Sequence, residues 1–200
     1  MTERLTRAQQ QELTRTRLLD AAEKLFGDRG IHQTSLDGIA AEAGLTKGAI
    51  YANFAGKDDL IAAILERKLG TWGPVDPSLT PAGWLDDLGG SYERNVDTPE
   101  VRRFALALVE FWLLGMRDEK SREAVMRWLR TVRELNGREA AAVAGADLAM
   151  SADRLGALMA ALDIGIAMQH LIDPQAVPAD LYQDGLRAIL GATARTDPGR

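Results

Sequence analysis

The stretch Ser35-Leu36-Asp37-Gly38-Ile39-Ala40-Ala41-Glu42-Ala43-Gly44-Leu45-Thr46-Lys47-Gly48-Ala49-Ile50-Tyr51-Ala52-Asn53-Phe54 decides how this chain folds. Thr34 or Ser35 can cap a short helix carrying Leu36, Ile39, Ala40 and Ala43 on one side. Gly44-Leu45 turns the chain, because glycine tolerates the positive φ that a tight turn demands. Thr46 then caps a second short helix that runs to Phe54. Ala40 is small where the two helices must cross, and Ile39, Ala43, Ile50 and Phe54 point to a shared core with Leu45 plugging the turn. This is helix-turn-helix spacing. Two helices so short cannot bury much surface alone, so they must lean on their neighbours.

Those neighbours are legible on both sides. Leu18, Leu19, Ala22, Leu25 and Phe26 give a preceding helix its apolar stripe, starting between Thr6 and Thr14 and stopping at Gly30. Gly56 ends the second short helix, and Lys57 or Asp58 opens a longer one with Leu60, Ile61, Ile64 and Leu65 inward. Residues 71–81 hold three prolines and a glycine and read as a connection. Beyond it the periodicity predicts helices near 82–96, 100–117, 119–143, 151–173 and 178–192, with a frayed tail from Arg195.

Composition agrees with an all-α chain. Among the 200 residues, Leu outnumbers Ile plus Val by 27 to 17, a bias towards helix and away from sheet. There is no Cys, which removes disulfides, thiolate zinc sites and cysteine nucleophiles. Two His leave little for a His-rich metal site. No nucleophile–base pair or phosphate loop stands out, which argues against an enzyme. A net charge of −5 argues against coating nucleic acid by bulk charge, and all of that charge lies beyond residue 70. The apolar run from Phe104 to Met116 is interrupted by Glu110 and falls short of the roughly 20 residues that cross a bilayer. A soluble, cytoplasmic protein without membrane contact is the expectation.

The second helix of such a pair typically enters the DNA major groove. Here its face offers Thr46, Lys47, Gly48, Ala49, Tyr51 and Asn53. The stretch from Arg17 to Leu60 resembles the DNA-binding domain of the TetR family of transcriptional regulators. The matching pieces are Ala21-Ala22, Leu25-Phe26, Gly30, Thr34-Ser35-Leu36, Ile39-Ala40, Ala43-Gly44, Lys47-Gly48, Ile50-Tyr51, Phe54, Lys57 and Leu60. The chain departs from the pattern at Ala52 and Asn53, where family members often carry His or another aromatic, which bears on base preference.

The resemblance implies roles by position. Tyr51 and Lys57 look like phosphate contacts, and Thr34 and Thr46 would combine capping with phosphate hydrogen bonds, beside Ser35 at the same helix start. Lys47, Ala49 and Asn53 are the base readers it suggests: Asn suits the edge of adenine and Ala a thymine methyl. Gly48 permits close approach. Arg15 and Arg17 belong to a basic leader, with residues 1–13 reading either as a DNA arm or as a loose terminus. The bland alternatives are plain caps for the threonines, half-buried core for Tyr51, and solvated charge for the lysines.

In the larger segment, Trp84, Phe104, Leu108, Phe111, Trp112, Met116, Trp128 and Met159 could line a cavity or simply fill a core. The resemblance, with its usual effector pocket, favours the cavity. Glu110 faces apolar neighbours, so it either pairs with Arg102, Arg130 or Arg133 or waits for a cationic aromatic ligand beside Trp112 or Trp128. Small residues on helix 151–173, and its pairing with helix 178–192, resemble the family's four-helix dimer. Gly156, Ala160, Asp163, Gly165, His170 and Leu186 are the interface candidates, against tight packing within one subunit.

The expectation is thus a DNA-binding helix-turn-helix domain over 1–56 and a helical regulatory and dimerisation domain over 57–200. Its partners would be double-stranded DNA, a second copy and an apolar or aromatic effector, with no cofactor or metal. The rival is an effector-independent architectural or partner-binding DNA protein on the same fold.

Overall fold

The computed structural model describes residues 6–70, 78–144 and 150–193, and all that follows concerns these. They form nine helices and no strand: α1 (Arg7–Arg29), α2 (Leu36–Glu42), α3 (Lys47–Asn53), α4 (Lys57–Leu69), α5 (Pro81–Asn95), α6 (Pro99–Arg117), α7 (Glu119–Ala144), α8 (Ala152–His170) and α9 (Leu181–Thr193). Every helix expected from periodicity is present. Most of the connection over 71–81 and the tail from Arg195 lie outside the described residues. No helix is long and apolar enough to cross a membrane.

Two compact units emerge. The first joins the chain up to Gly70 with Arg103–Met126, and the second joins Thr71–Arg102 with Arg127–Arg200. Helix α4 and most of α6 therefore pack with the helix-turn-helix, whatever functional division the sequence suggests at residue 56.

In the first unit, α1 starts earlier than a loose leader would. Thr6 Oγ1 accepts from the Gln9 N–H and the Gln9 side chain accepts from the Thr6 N–H, a reciprocal capping box that holds residues 7–13 in the helix. Leu18, Ala22, Leu25 and Phe26 are buried, as are Ile39, Ile50, Phe54 and Leu60 on the three helices that pack against or follow α1, at the positions the apolar spacing predicts. Gly44 takes φ +64°, and the Leu45 N–H donates to the Ala40 carbonyl across the turn at 2.8 Å.

The second unit has its own core of Trp84, Ala140, Leu155, Met159, Ile166, Tyr182 and Leu186. Trp84 and Met159 are thus packing residues, and the core reading replaces the cavity reading for both. Gly156 lies so close to α7 that a Cβ there would meet the Arg133 carbonyl. His170 is buried, with Nδ1 2.8 Å from the Val177 carbonyl and Nε2 3.1 Å from Asp97 Oδ1. Gly156, Ala160, His170 and Leu186 therefore turn inward within the subunit and cannot supply the outer face of a dimer.

The face that α8 leaves open is a different one. Leu158, Ala161, Gly165 and Met168 recur at three- and four-residue spacing along α8, with Ile172 just past its end, and each is at least partly exposed, Ile172 at 86%. A Cβ at Gly165 would meet nothing.

Candidate nucleic-acid interface

Helices α1 and α2 both pack against α3. Ser35, not Thr34, caps α2 by accepting from the Gly38 N–H at 3.0 Å. Thr34 is 4% exposed, and its hydroxyl bonds to the Leu25 and Gly30 carbonyls at 3.2 and 2.8 Å. It locks the turn ahead of α2 and cannot reach a phosphate, so that expectation is corrected. Thr46 occupies the N-cap of α3, is exposed and makes no side-chain cap bond.

Arg15 and Arg17 are not part of a free arm. Arg17 Nη2 donates to the Ala43 carbonyl at 2.6 Å, tying α1 to the helix-turn-helix turn. The Arg15 guanidinium lies 4.6 Å above the Phe54 ring and its Nη1 reaches the Asn53 carbonyl at 3.4 Å. Both are held against the ends of α2 and α3, where long cationic side chains can serve structure and phosphate together.

On α3, Ile50 is fully buried while its neighbour Tyr51 is 59% exposed, so the helix is anchored through one residue and presents the next. Lys47, Gly48 and Ala52 are exposed, and Ala49 is half-buried. Lys47 Nζ pairs with Asp37 Oδ2 of α2 at 2.5 Å, and the Asp37 carboxylate, by hydrogen bond and charge, pushes the ammonium above its ordinary range. Asn53 donates one amide N–H to the Ala49 carbonyl at 2.8 Å. Lys57, at the start of α4, donates to the Ile31 carbonyl at 2.9 Å.

Sequence reasoning missed what Glu110 does. Its carboxylate meets none of the arginines named for it; Oε2 accepts from the Ile31 N–H at 2.7 Å. The signal was Gly30. Its φ is +84°, and a Cβ there would sit 2.7 Å from Glu110 Oε1, so only glycine admits both the backbone and the carboxylate.

The remaining ligand candidates are dispersed. Phe104, Leu108 and Phe111 line a cavity of about 20 Å³ with Phe26, Ile61 and Ile64, enough for a water and no more. Met116 is 70% exposed. Trp112 is partly exposed with a buried Nε1 that makes no hydrogen bond, and Trp128 is buried.

Residues 18–64 match the family model of bacterial regulatory proteins, tetR family. The chain is 32% identical over 143 residues to TtgW of Pseudomonas putida, named as an uncharacterized HTH-type transcriptional regulator, a match that covers 65% of this chain and 98% of TtgW. It is 40% identical over 84 residues to the HTH-type transcriptional repressor SCO4008 of Streptomyces coelicolor, covering 40% of this chain and 43% of that repressor's length. Among solved structures, NalD of Pseudomonas aeruginosa, described as the secondary repressor of the MexAB-OprM multidrug efflux pump, superimposes with a TM-score of 0.63 at 26% identity, over 95% of this chain and 100% of NalD. With a helix-turn-helix built on these residues and a relative matched along nearly its whole length, the chain belongs to the TetR family of bacterial regulatory proteins.

Proposed function

We propose that the protein is a dimeric transcriptional repressor that binds a palindromic operator in the cytoplasm and is released by a small-molecule effector. The observation that carries the DNA-binding part is α3 itself: a short helix nailed down by Ile50 and Phe54 whose outer side shows Tyr51, Lys47, Gly48 and the uncapped Thr46 hydroxyl. Gly48 lets the backbone approach a groove, and Tyr51 and Thr46 supply hydroxyl donors for phosphates. Asn53 keeps a second amide N–H and its Oδ1 for the N7/N6 edge of adenine. Lys47, Ala49 and Asn53 would read bases; Tyr51, Thr46, Lys57, Arg15 and Arg17 would hold the strand.

Two copies would meet through the Leu158–Ile172 face formed by α8 and the turn that follows it, with Leu181 of α9 exposed as well. Such a dimer presents two α3 helices to half-sites one helical turn apart, about 34–36 Å. An effector releases the operator only by preferring a dimer in which that spacing is lost. The buried Trp112 Nε1 is a donor that an effector with an acceptor atom would satisfy.

One observation favours an effector-independent DNA protein instead. Trp84 and Met159 fill a core, and the cavity at Phe104–Phe111 is water-sized. Selection of duplexes from a random pool by the wild-type protein, followed by a screen of compounds for release, decides between them. An enriched inverted repeat with no releasing compound supports the second reading.

A further inference from the structure

We propose that Glu110 is a positioning residue for DNA binding: through the Ile31 peptide it fixes the turn from which the helix-turn-helix starts. The inference rests on the DNA-binding reading above. Ile31 lies only four residues before Ser35, the N-cap of α2, so whatever holds its backbone sets where α2 and then α3 begin. Its N–H donates to Glu110 of α6 at 2.7 Å, and its carbonyl accepts from Lys57 of α4 at 2.9 Å. One residue is thereby gripped on both polar groups by two helices far along the chain.

A carboxylate accepting a backbone N–H makes one of the stronger protein hydrogen bonds. The preceding residue has been shaped for it, since Gly30 leaves vacant the volume that a Cβ would take from the Glu110 carboxylate. A second contact, between α6 and α1 itself, lies seven residues back along α6. A Cβ on Gly27 of α1 would fall 2.3 Å from Arg103 Cβ, so the helices touch through glycine there as well. With α6 seated on α1 at Gly27 and clasped at Ile31, the turn follows α6. Thr34, bonded to the Gly30 carbonyl, stiffens the remainder.

Lys57 gains from the same arrangement. An ammonium has three donors, and the Ile31 carbonyl uses one and points the others. Misplacing Ile31 would therefore misplace a phosphate contact as well as α3.

The test uses the full chain and the duplex that the wild type selects from a random pool. Glu110→Ala should bind it about tenfold more weakly, measured where urea titration shows the variant folded, because alternative turn positions become populated. The slope of log K against log salt should fall by no more than about one, the share of the single Lys57 contact, since the other phosphate contacts are kept. Glu110→Gln keeps an acceptor oxygen and should stay within about threefold of wild type. In the wild-type protein the Ile31 amide should be protected from hydrogen exchange, a measurement that needs no variant to fold. A lowered urea midpoint with wild-type affinity, or a rapidly exchanging Ile31 amide, overturns the inference. A wild type that enriches no duplex overturns the DNA-binding reading, and this inference with it; equal binding by wild type and Glu110→Ala overturns this inference alone.

Discussion

Lys47 of α3 and Asp37 of α2 form an ion pair on the exposed side of the helix-turn-helix, the side proposed above to meet DNA, Nζ to Oδ2 at 2.5 Å, with the lysine side chain 74% exposed. An acid so close to a helix meant for a polyanion is a cost to binding, and it occupies the ammonium that should meet DNA. Asp37→Asn should therefore strengthen binding to all duplexes severalfold and steepen the salt dependence, read by fluorescence anisotropy across a salt series. Unchanged affinity would place Lys47 away from the DNA.

Arg17 gives a prediction of the opposite sign. Its guanidinium hydrogen-bonds to the Ala43 carbonyl at the point where α2 gives way to the turn. Arg17→Ala should lower stability by about 1–2 kcal/mol in urea unfolding. It should also weaken operator binding, because the turn that aims α3 loses its strut.

Tyr51 and Asn53 separate strand holding from base reading. Tyr51→Phe should weaken every duplex alike by removing a phosphate donor, whereas Asn53→Ala should flatten preference at individual base pairs of the selected site. Competition between the selected and a scrambled duplex measures the difference. A uniform loss for Asn53→Ala would move base readout elsewhere on α3.

Gly165 tests the dimer. Nothing stands within 4 Å of a Cβ there, so Gly165→Glu fits the subunit and should even raise helix stability by up to about 1 kcal/mol. Placed in the middle of the Leu158–Ile172 face, the charge should leave a folded monomer by light scattering. A dimeric variant would mean that another surface pairs the copies.

Asp163 makes stability depend on pH. Burial pushes its carboxyl up to about 6 from an ordinary 3.8, beside the stacked Tyr92 and Tyr182. The folded state thus holds the proton more tightly than the unfolded chain. The penalty is present in full above pH 6 and is relieved as the pH falls from about 6 towards 4. Asp163→Asn should remove that dependence and stabilise the protein at pH 7 by roughly 3 kcal/mol, checked by thermal unfolding at several pH values.

How much of this could be read beforehand depended on the kind of signal. Helices announced themselves through apolar spacing, and Gly44 through the turn it had to make. Ile39, Ala43, Ile50 and Phe54 are buried as their periodicity required. What failed were choices between adjacent polar residues and contacts distant in sequence. Thr34 and Ser35 are equal as caps on paper, and only the Leu25 and Gly30 carbonyls draw Thr34 inward. Glu110 advertised a buried carboxylate but not its partner, because a backbone N–H 79 residues away has no side chain to betray it. The small residues of α8 looked like one surface, yet Gly156 admits α7 while Gly165 faces outward.

Paired α3 helices should read an inverted repeat. Footprinting the wild-type protein on the duplex it selects from random DNA tests this most directly. Two protected half-sites are expected, their centres one helical turn apart, about 34–36 Å, and lost together in Gly165→Glu. Protection without symmetry, or a footprint that drifts with no preferred sequence, would contradict paired reading by α3.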